Sequence, residues 1–291
     1  MRTIYNIYFI ILKILFFCII LSCETDVTDD ITIRSSEPRL VVEGGLERNV
    51  RFPDRPQLVR LTTTRNFLSN EPNPPVTDAV ILISDGDQDW ELVHTGEGYY
   101  EAAGLQPELD TTYTITISWN GSVYQGSDTL SAVPLFDRFY FEFEEETLVT
   151  DEGYFLRIDT QDFQGIANFY YYRVFKNGEY IIVPDPGNSI VLVVSDEFFD
   201  GQLRVGVNPN DEVSFEPGDL AGAQQLGISE AYYDFLFQVF EQTGNSGVSF
   251  VGNPPPASIR GNIINLTDSK NRALGFFYTA DVEEQTIMIT E

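Results

Sequence analysis

Apolar and polar residues alternate one by one through most of this chain, a period that builds strands and excludes a helical bundle. Tyr113, Ile115, Ile117 and Trp119 interleave with Thr112, Thr114, Thr116 and Ser118, the pattern of a strand with one buried face. The run stops at Asn120-Gly121, a dipeptide suited to the positive φ angles of a tight hairpin, and resumes as Ser122-Val-Tyr124. Asn177-Gly178 forms a second such turn between apolar runs at 170–175 and 179–182. Similar short runs at 40–43, 58–62, 80–83, 90–94 and 99–102 predict further strands. So do those at 139–143, 155–159, 190–194, 203–207, 259–264, 275–279 and 286–289.

One segment breaks the period. Tyr233, Leu236, Phe237 and Phe240 follow helical spacing, Ser229 can cap the start and Gly244 can end it. A single amphipathic helix near 229–242, laid on a sheet, is expected. The fold class is mostly β. An immunoglobulin- or transthyretin-like sandwich is expected at 38–133, then a second β-rich domain with the helix at 134–291, the boundary lying near Val133-Pro134.

The first residues read as an address. Arg2 and Lys13 are the only early charges, 14–21 is apolar but too short to cross a bilayer, and Ser22 precedes Cys23. Residues 1–22 therefore read as a signal peptide, and Ile20-Leu21-Ser22-Cys23 looks like a lipobox in which Cys23 is lipidated. Two or more acyl chains hold a protein at a membrane without a spanning helix. Residues 23–37 begin with Glu24, Asp26, Asp29 and Asp30 and read as a solvated acidic tether. Of the two cysteines, Cys18 leaves with the signal and Cys23 is taken by lipid, so the mature chain has no thiol for a disulfide.

Charge and composition exclude several functions. The chain has 45 acidic and 17 basic residues, a net charge of -28, which becomes -30 once Arg2 and Lys13 are removed. Such a surface repels nucleic acid. A single histidine, His94, leaves little for a zinc site or a Ser-His-Asp triad, and no cofactor motif is present.

The remaining candidates for chemistry are modest. Asp85, Asp87 and Asp89 alternate like calcium ligands, but the EF-hand positions for Gly and Glu hold Trp90 and Gly96. A hairpin turn is the simpler reading, and a calcium site of another type the alternative. Glu142 and Glu144 alternate with Phe139, Phe141 and Phe143, as on a strand with a solvated face. Phe198 and Phe199 are adjacent and cannot both face one sheet core, so one is a candidate partner contact. Phe67 and Leu68, in the long loop 65–77, are candidates of the same kind.

Two ends of the chain are familiar. Pro38-Arg-Leu-Val-Val-Glu-Gly44, Val59-Arg-Leu-Thr62, Pro75-Val-Thr-Asp-Ala79 and the strand after Gly98 come first. Ile259-Arg-Gly-Asn-Ile263, after prolines 254–256, and Ala273-Leu-Gly-Phe-Phe277 come last. Together they resemble a Bacteroidota lipoprotein family known as domain of unknown function 4249, over most of the mature chain. The resemblance implies an outer-membrane lipoprotein displayed on the cell surface, with genes beside TonB-dependent receptors. It supplies no catalytic residues. In that setting Asp110-Thr111-Thr112 and Asp128-Thr129-Leu130 look like O-glycosylation sites, at Thr111 and Thr129. Gly261 and Gly275 fall in or beside strand patterns, where Gly marks a close backbone approach, so this segment is expected to pack the C-terminal strands on the N-terminal sandwich.

The expected function is that of a non-enzymatic, surface-exposed lipoprotein partnering a TonB-dependent receptor in nutrient capture. The alternatives are a carboxylate-dependent glycan hydrolase and a free-standing adhesin or glycan-binding module.

Overall fold

The computed structural model describes residues 37–66, 69, 71–146, 152–181, 192–244 and 259–291, with 241–244 described by backbone alone. The signal at 1–22, Cys23, the tether up to residue 36, Phe67, Leu68 and prolines 254–256 lie outside the described residues. Within them the chain runs through β1 (Leu40–Asn49), β2 (Gln57–Thr63), β3 (Val80–Ser84), β4 (Asp89–Glu91), β5 (Val93–Gly96) and β6 (Tyr99–Ala102). Next come β7 (Thr112–Trp119), β8 (Ser122–Thr129), β9 (Phe136–Glu144), β10 (Gly153–Gln161), β11 (Phe169–Lys176) and β12 (Glu179–Ile181). The chain ends with β13 (Val193–Ser195), β14 (Leu203–Val207), β15 (Leu220–Ile228), α1 (Glu230–Gly244), β16 (Ile264–Asn265) and β17 (Leu274–Met288).

Local chemistry accounts for the hairpins. Asn120 and Gly121 take φ values of 46° and 73°, and Asn177 and Gly178 take 54° and 85°. Positive φ at both central residues matches the twist of the flanking strands. The turns join β7 to β8 and β11 to β12 in antiparallel register. Tyr113, Ile115 and Ile117 are buried, as their alternation requires.

A nine-stranded sheet in the order β12-β11-β15-β17-β1-β2-β6-β5, with β13 also on β11, forms the frame. Strand register places two cores on its back. A five-stranded sheet, β16-β8-β7-β3-β4, packs there through Ile81, Ile83, Ile115 and Tyr124 against Val42, Leu46 and Leu61. A three-stranded sheet, β14-β10-β9, packs further along through Leu156 and Ile158 against Tyr170, Tyr172 and Ala223. The front carries α1, whose Tyr232 and Leu236 are buried with Tyr171, Leu226, Phe276 and Tyr278. Ser229 caps the helix by accepting the Tyr232 N–H at 3.2 Å.

The frame passes through both sides of the boundary expected at Val133-Pro134. Residues Pro38–Glu291 form one compact unit. The linker there crosses the back of the sheet, where the Val133 N–H donates to Asp281 at 3.1 Å. Strand β17, late in the sequence, places Phe277 in the first core.

Two expectations for the C-terminal region are corrected. The strands expected at 275–279 and 286–289 are one strand, β17. It pairs parallel with β1 from Val41–Leu274 to Asn49–Val282, and antiparallel with β15 from Leu220–Met288 to Gly227–Asp281. Its acidic middle breaks the apolar pattern, but Arg48, Arg51 and Arg55 meet Asp281, Glu283 and Glu284 at 2.7, 2.8 and 2.8 Å. The strand expected at 259–264 is reduced to Ile264–Asn265 on β8. There the Asn262 side chain replaces backbone pairing: its amide donates to Phe277 O at 2.7 Å, and its Oδ1 accepts the Phe277 N–H at 3.0 Å.

Gly261 and Gly275 do mark a close approach. A Cβ on Gly261 would lie 1.5 Å from Gly275 O, and one on Gly275 would lie 1.9 Å from Val42 O. No helix among the described residues is long and apolar enough to cross a membrane.

Candidate functional site

Alternation along β11 sends Tyr171, Arg173 and Phe175 to the front of the large sheet, while Tyr170, Tyr172 and Val174 enter the back core. Strand pairing adds Tyr180 beside Phe175, Tyr278 on β17, Glu43 on β1, Arg60 on β2 and Tyr99 on β6. From above, α1 contributes Tyr232, whose ring stacks on Tyr278 with centroids 4.5 Å apart and planes 3° apart. These side chains enclose a cleft of about 500 Å³ between the helix and the far strands. A second hollow of about 440 Å³ lies beside it, lined by Glu47, Arg55, Phe175, Gln224 and Glu284. Arg173 lines both.

Charge in the cleft is internally matched. Arg173 Nη1 lies 2.6 Å from Glu47 Oε1, and the Tyr278 hydroxyl donates to the same oxygen at 2.7 Å. Arg173 Nη2 donates in turn to the Tyr278 hydroxyl at 3.0 Å. Burial by itself raises the Glu47 pKa, but Arg173, Tyr278 and Arg55 outweigh it and hold the carboxyl below its ordinary range. Burial likewise opposes the Arg173 charge, and Glu47 with the surrounding tyrosines keeps it protonated. The Tyr278 phenol is pushed up, first by burial and then by Glu47, so it stays a donor at neutral pH.

The outer wall is less occupied. Arg60 lies over the Tyr99 ring at 5.2 Å and reaches Glu43 at only 3.8 Å, while its buried Nε has no partner. Tyr180 meets Tyr171 hydroxyl to hydroxyl at 2.5 Å. Aromatic faces, phenol groups and a guanidinium are the materials of recognition for a polar ligand with flat or apolar faces. They are held on strands of one sheet, which keeps their spacing fixed.

Sequence reasoning missed this cleft, because its members are scattered from β1 to β17. One signal was present. Arg173 sits in Tyr170-Tyr-Tyr-Arg-Val-Phe175, a strand aromatic on both faces, where an arginine requires an internal partner.

The residues singled out from the sequence lie elsewhere, and the structure does not bring them together. Asp85 accepts the N–H groups of Asp87 and Gln88 at 2.9 and 2.7 Å, a turn between β3 and β4, and these bonds hold its pKa down. Phe198 is 84% exposed, whereas Phe199 packs on the second core with Arg204 4.2 Å above its ring. Thr111 donates to Leu109 O, and Thr129 is exposed with its hydroxyl 2.8 Å from that of Thr112. Asp128 of the second tripeptide is buried and accepts the Thr279 N–H at 2.8 Å. His94 is exposed on β5, its ring 5.1 Å from Tyr100. Glu142 and Glu144 both pair with Arg157, while Phe143 is exposed.

One carboxylate cluster went unnoticed in the sequence. Asp162, Asp196 and Asp200 bring one oxygen each within 4.8 Å of one another, an all-oxygen set of the type that suits a hard cation. Several of these oxygens already serve the fold: Asp162 accepts from Tyr170 and Gly201, Asp196 from Asn168, and Asp200 from Gly165. Burial, then the charges of Asp162 and Asp200, push the Asp196 pKa up against the Asn168 bond.

A family profile described as Domain of unknown function (DUF4249) matches residues 24–286. A search of curated proteins found no matching relative.

Proposed function

The chain belongs to the DUF4249 family, and from that premise we propose that it is a lipid-anchored binding protein. It is displayed on the outer membrane and assists a TonB-dependent receptor in nutrient capture, without catalysing a reaction. The observation that carries the binding role is the front cleft, where Tyr99, Tyr171, Tyr180, Tyr232 and Tyr278 line one wall with the Arg60 guanidinium. The carboxylate lining the cleft, Glu43, faces Arg60 at 3.8 Å, while Glu47 behind Arg173 is bound by Arg173 and Tyr278 and held ionised, which disfavours Glu47 as a general acid. The anchoring supports are Ser22-Cys23 and the acidic residues after it. The receptor follows from the family resemblance.

Affinity capture of the membrane-extracted protein tests this reading. A β-barrel receptor is expected in the eluate, together with a lipid on Cys23 by intact mass. Capture of the protein without any barrel would remove the accessory role, and ligand binding by the protein alone would then favour the adhesin.

The hydrolase reading has one specific observation behind it, the raised carboxyl of Asp196 beside Asp162 and Asp200. Turnover on a glycan panel that disappears in Asp196→Asn would establish it in place of the binding role.

A further inference from the structure

In a chain with 45 acidic and 17 basic residues, one hollow of about 600 Å³ is walled, among the described residues, by four cations and no acid. Arg39, Arg260, Lys270 and Arg272 line it. None of the ion pairs among the described residues uses any of the four. Two acids lie two positions from these cations, Glu37 before Arg39 and Asp268 before Lys270, and Asp268 accepts the Lys270 backbone N–H on Oδ1 at 3.0 Å. Like charges gathered in one hollow repel each other, and an anion removes that cost.

The hollow is built by the C-terminal segment that sequence reading singled out and the front cleft does not use. Gly261 passes against Gly275, and Asn262 binds the Phe277 backbone, which places Arg260 at the rim. Asn265 accepts the N–H groups of Thr267 and Asp268 at 2.9 Å each and donates to Asn271 O at 2.8 Å. That closed loop carries Lys270 and Arg272 to the same rim. Below them the lining is apolar, with Ile263 and Leu274 among the residues of the floor.

Guanidinium groups over an apolar floor match an anionic amphiphile: phosphate bonds in pairs to arginine, and hydrocarbon is removed from water below. The position of the hollow suits a membrane source. Arg39 lies 16 residues after Cys23, a span of at most about 55 Å when extended. We propose that this hollow binds the phosphate of an anionic membrane phospholipid, with the start of its acyl chain on the apolar floor. The lipid then orients an otherwise acidic protein on the surface to which Cys23 ties it. This site is independent of any receptor, and only the source of the lipid rests on the anchoring reading.

The test uses the full chain extracted in a neutral detergent and three probes: dihexanoyl-phosphatidylglycerol, dihexanoyl-phosphatidylcholine and inorganic phosphate. Calorimetry is expected to show phosphatidylglycerol bound at least about tenfold more tightly than either of the others, as expected where both charge and apolar contact count. The Arg260→Gln/Arg272→Gln double variant should lose at least about tenfold of that affinity with its thermal midpoint unchanged, since neither side chain has an ion-pair partner among the described residues. Equal binding of phosphatidylcholine, or an unaltered double variant, would overturn the proposal. Inorganic phosphate bound as tightly as phosphatidylglycerol would overturn the lipid source and leave a free phosphate ligand. If capture brings no receptor while phosphatidylglycerol still binds, the accessory role fails and this site stands.

Discussion

Arg173 on β11 meets Glu47 on β1 at 2.6 Å although β15 and β17 run between their strands. Tyr278, on β17, bridges the two through its hydroxyl. The contact ties distant strands across the front of the sheet and forms the floor shared by both front hollows.

Breaking this pair from one side leaves a buried charge without its partner. Arg173→Met is expected to lower stability by about 3–5 kcal/mol, and the Arg173→Met/Glu47→Leu double variant to recover much of the loss. Urea unfolding of both single variants and the double variant measures the coupling. Additive losses would show that the pair does not act as a unit.

Gly261 has no room for a side chain. Its Cβ would meet the backbone oxygen of Gly275, which cannot rotate away as a side chain does. Gly261→Ala is therefore expected to cost at least about 3 kcal/mol, within the range of severe overpacking. An unchanged thermal midpoint would contradict the close approach of these two segments.

Phe198 and Phe199 should behave oppositely. Phe198→Ala removes a ring that is 84% exposed, so stability should stay within about 0.5 kcal/mol while receptor capture weakens. Phe199→Ala removes a half-buried ring from the second core and from beneath Arg204, at a cost of about 2 kcal/mol. Thermal unfolding and capture, read on both variants, separate the two roles.

Asp219 gives the fold an acid-sensitive tie. The Lys176 ammonium, the Glu216 N–H and Asn177 hold its pKa down at about 2, below the ordinary 3.8. A depressed folded-state pKa stabilises above the unfolded value and loses that stabilisation as protonation proceeds. The stability advantage of the parent over Asp219→Asn should be complete near neutral pH. It should shrink from about pH 5 downward and be gone only near pH 1, below the folded-state value. Denaturant midpoints across that window check the sign.

Much of the fold was legible because its signals are local. Alternation around Tyr113–Ile117, the two Asn-Gly turns and the helical spacing after Ser229 each depend on residues a few positions apart. The misreadings came where a distant partner reverses a local signal. Residues 280–285 fall between two expected strands, yet Arg48, Arg51 and Arg55 meet Asp281, Glu283 and Glu284 and the strand runs on through them. Segment 259–264 alternates like a strand, yet Asn262 meets Phe277 with its side chain. The site was least legible, since Arg173 on β11 and Tyr278 on β17 lie more than 100 positions from Glu47 on β1 and Arg60 on β2.

The sequence by itself determined that the chain is built of short strands with one helix, which stretches turn, and that two glycines need close backbone contact. Tertiary structure alone decided that β17 lies parallel to β1, because that pairing joins residues more than 200 positions apart and has no local pattern to announce it. The same pairing makes one sheet from the two expected domains. It also brings Glu47 beside Tyr278, and so decides where the cleft forms.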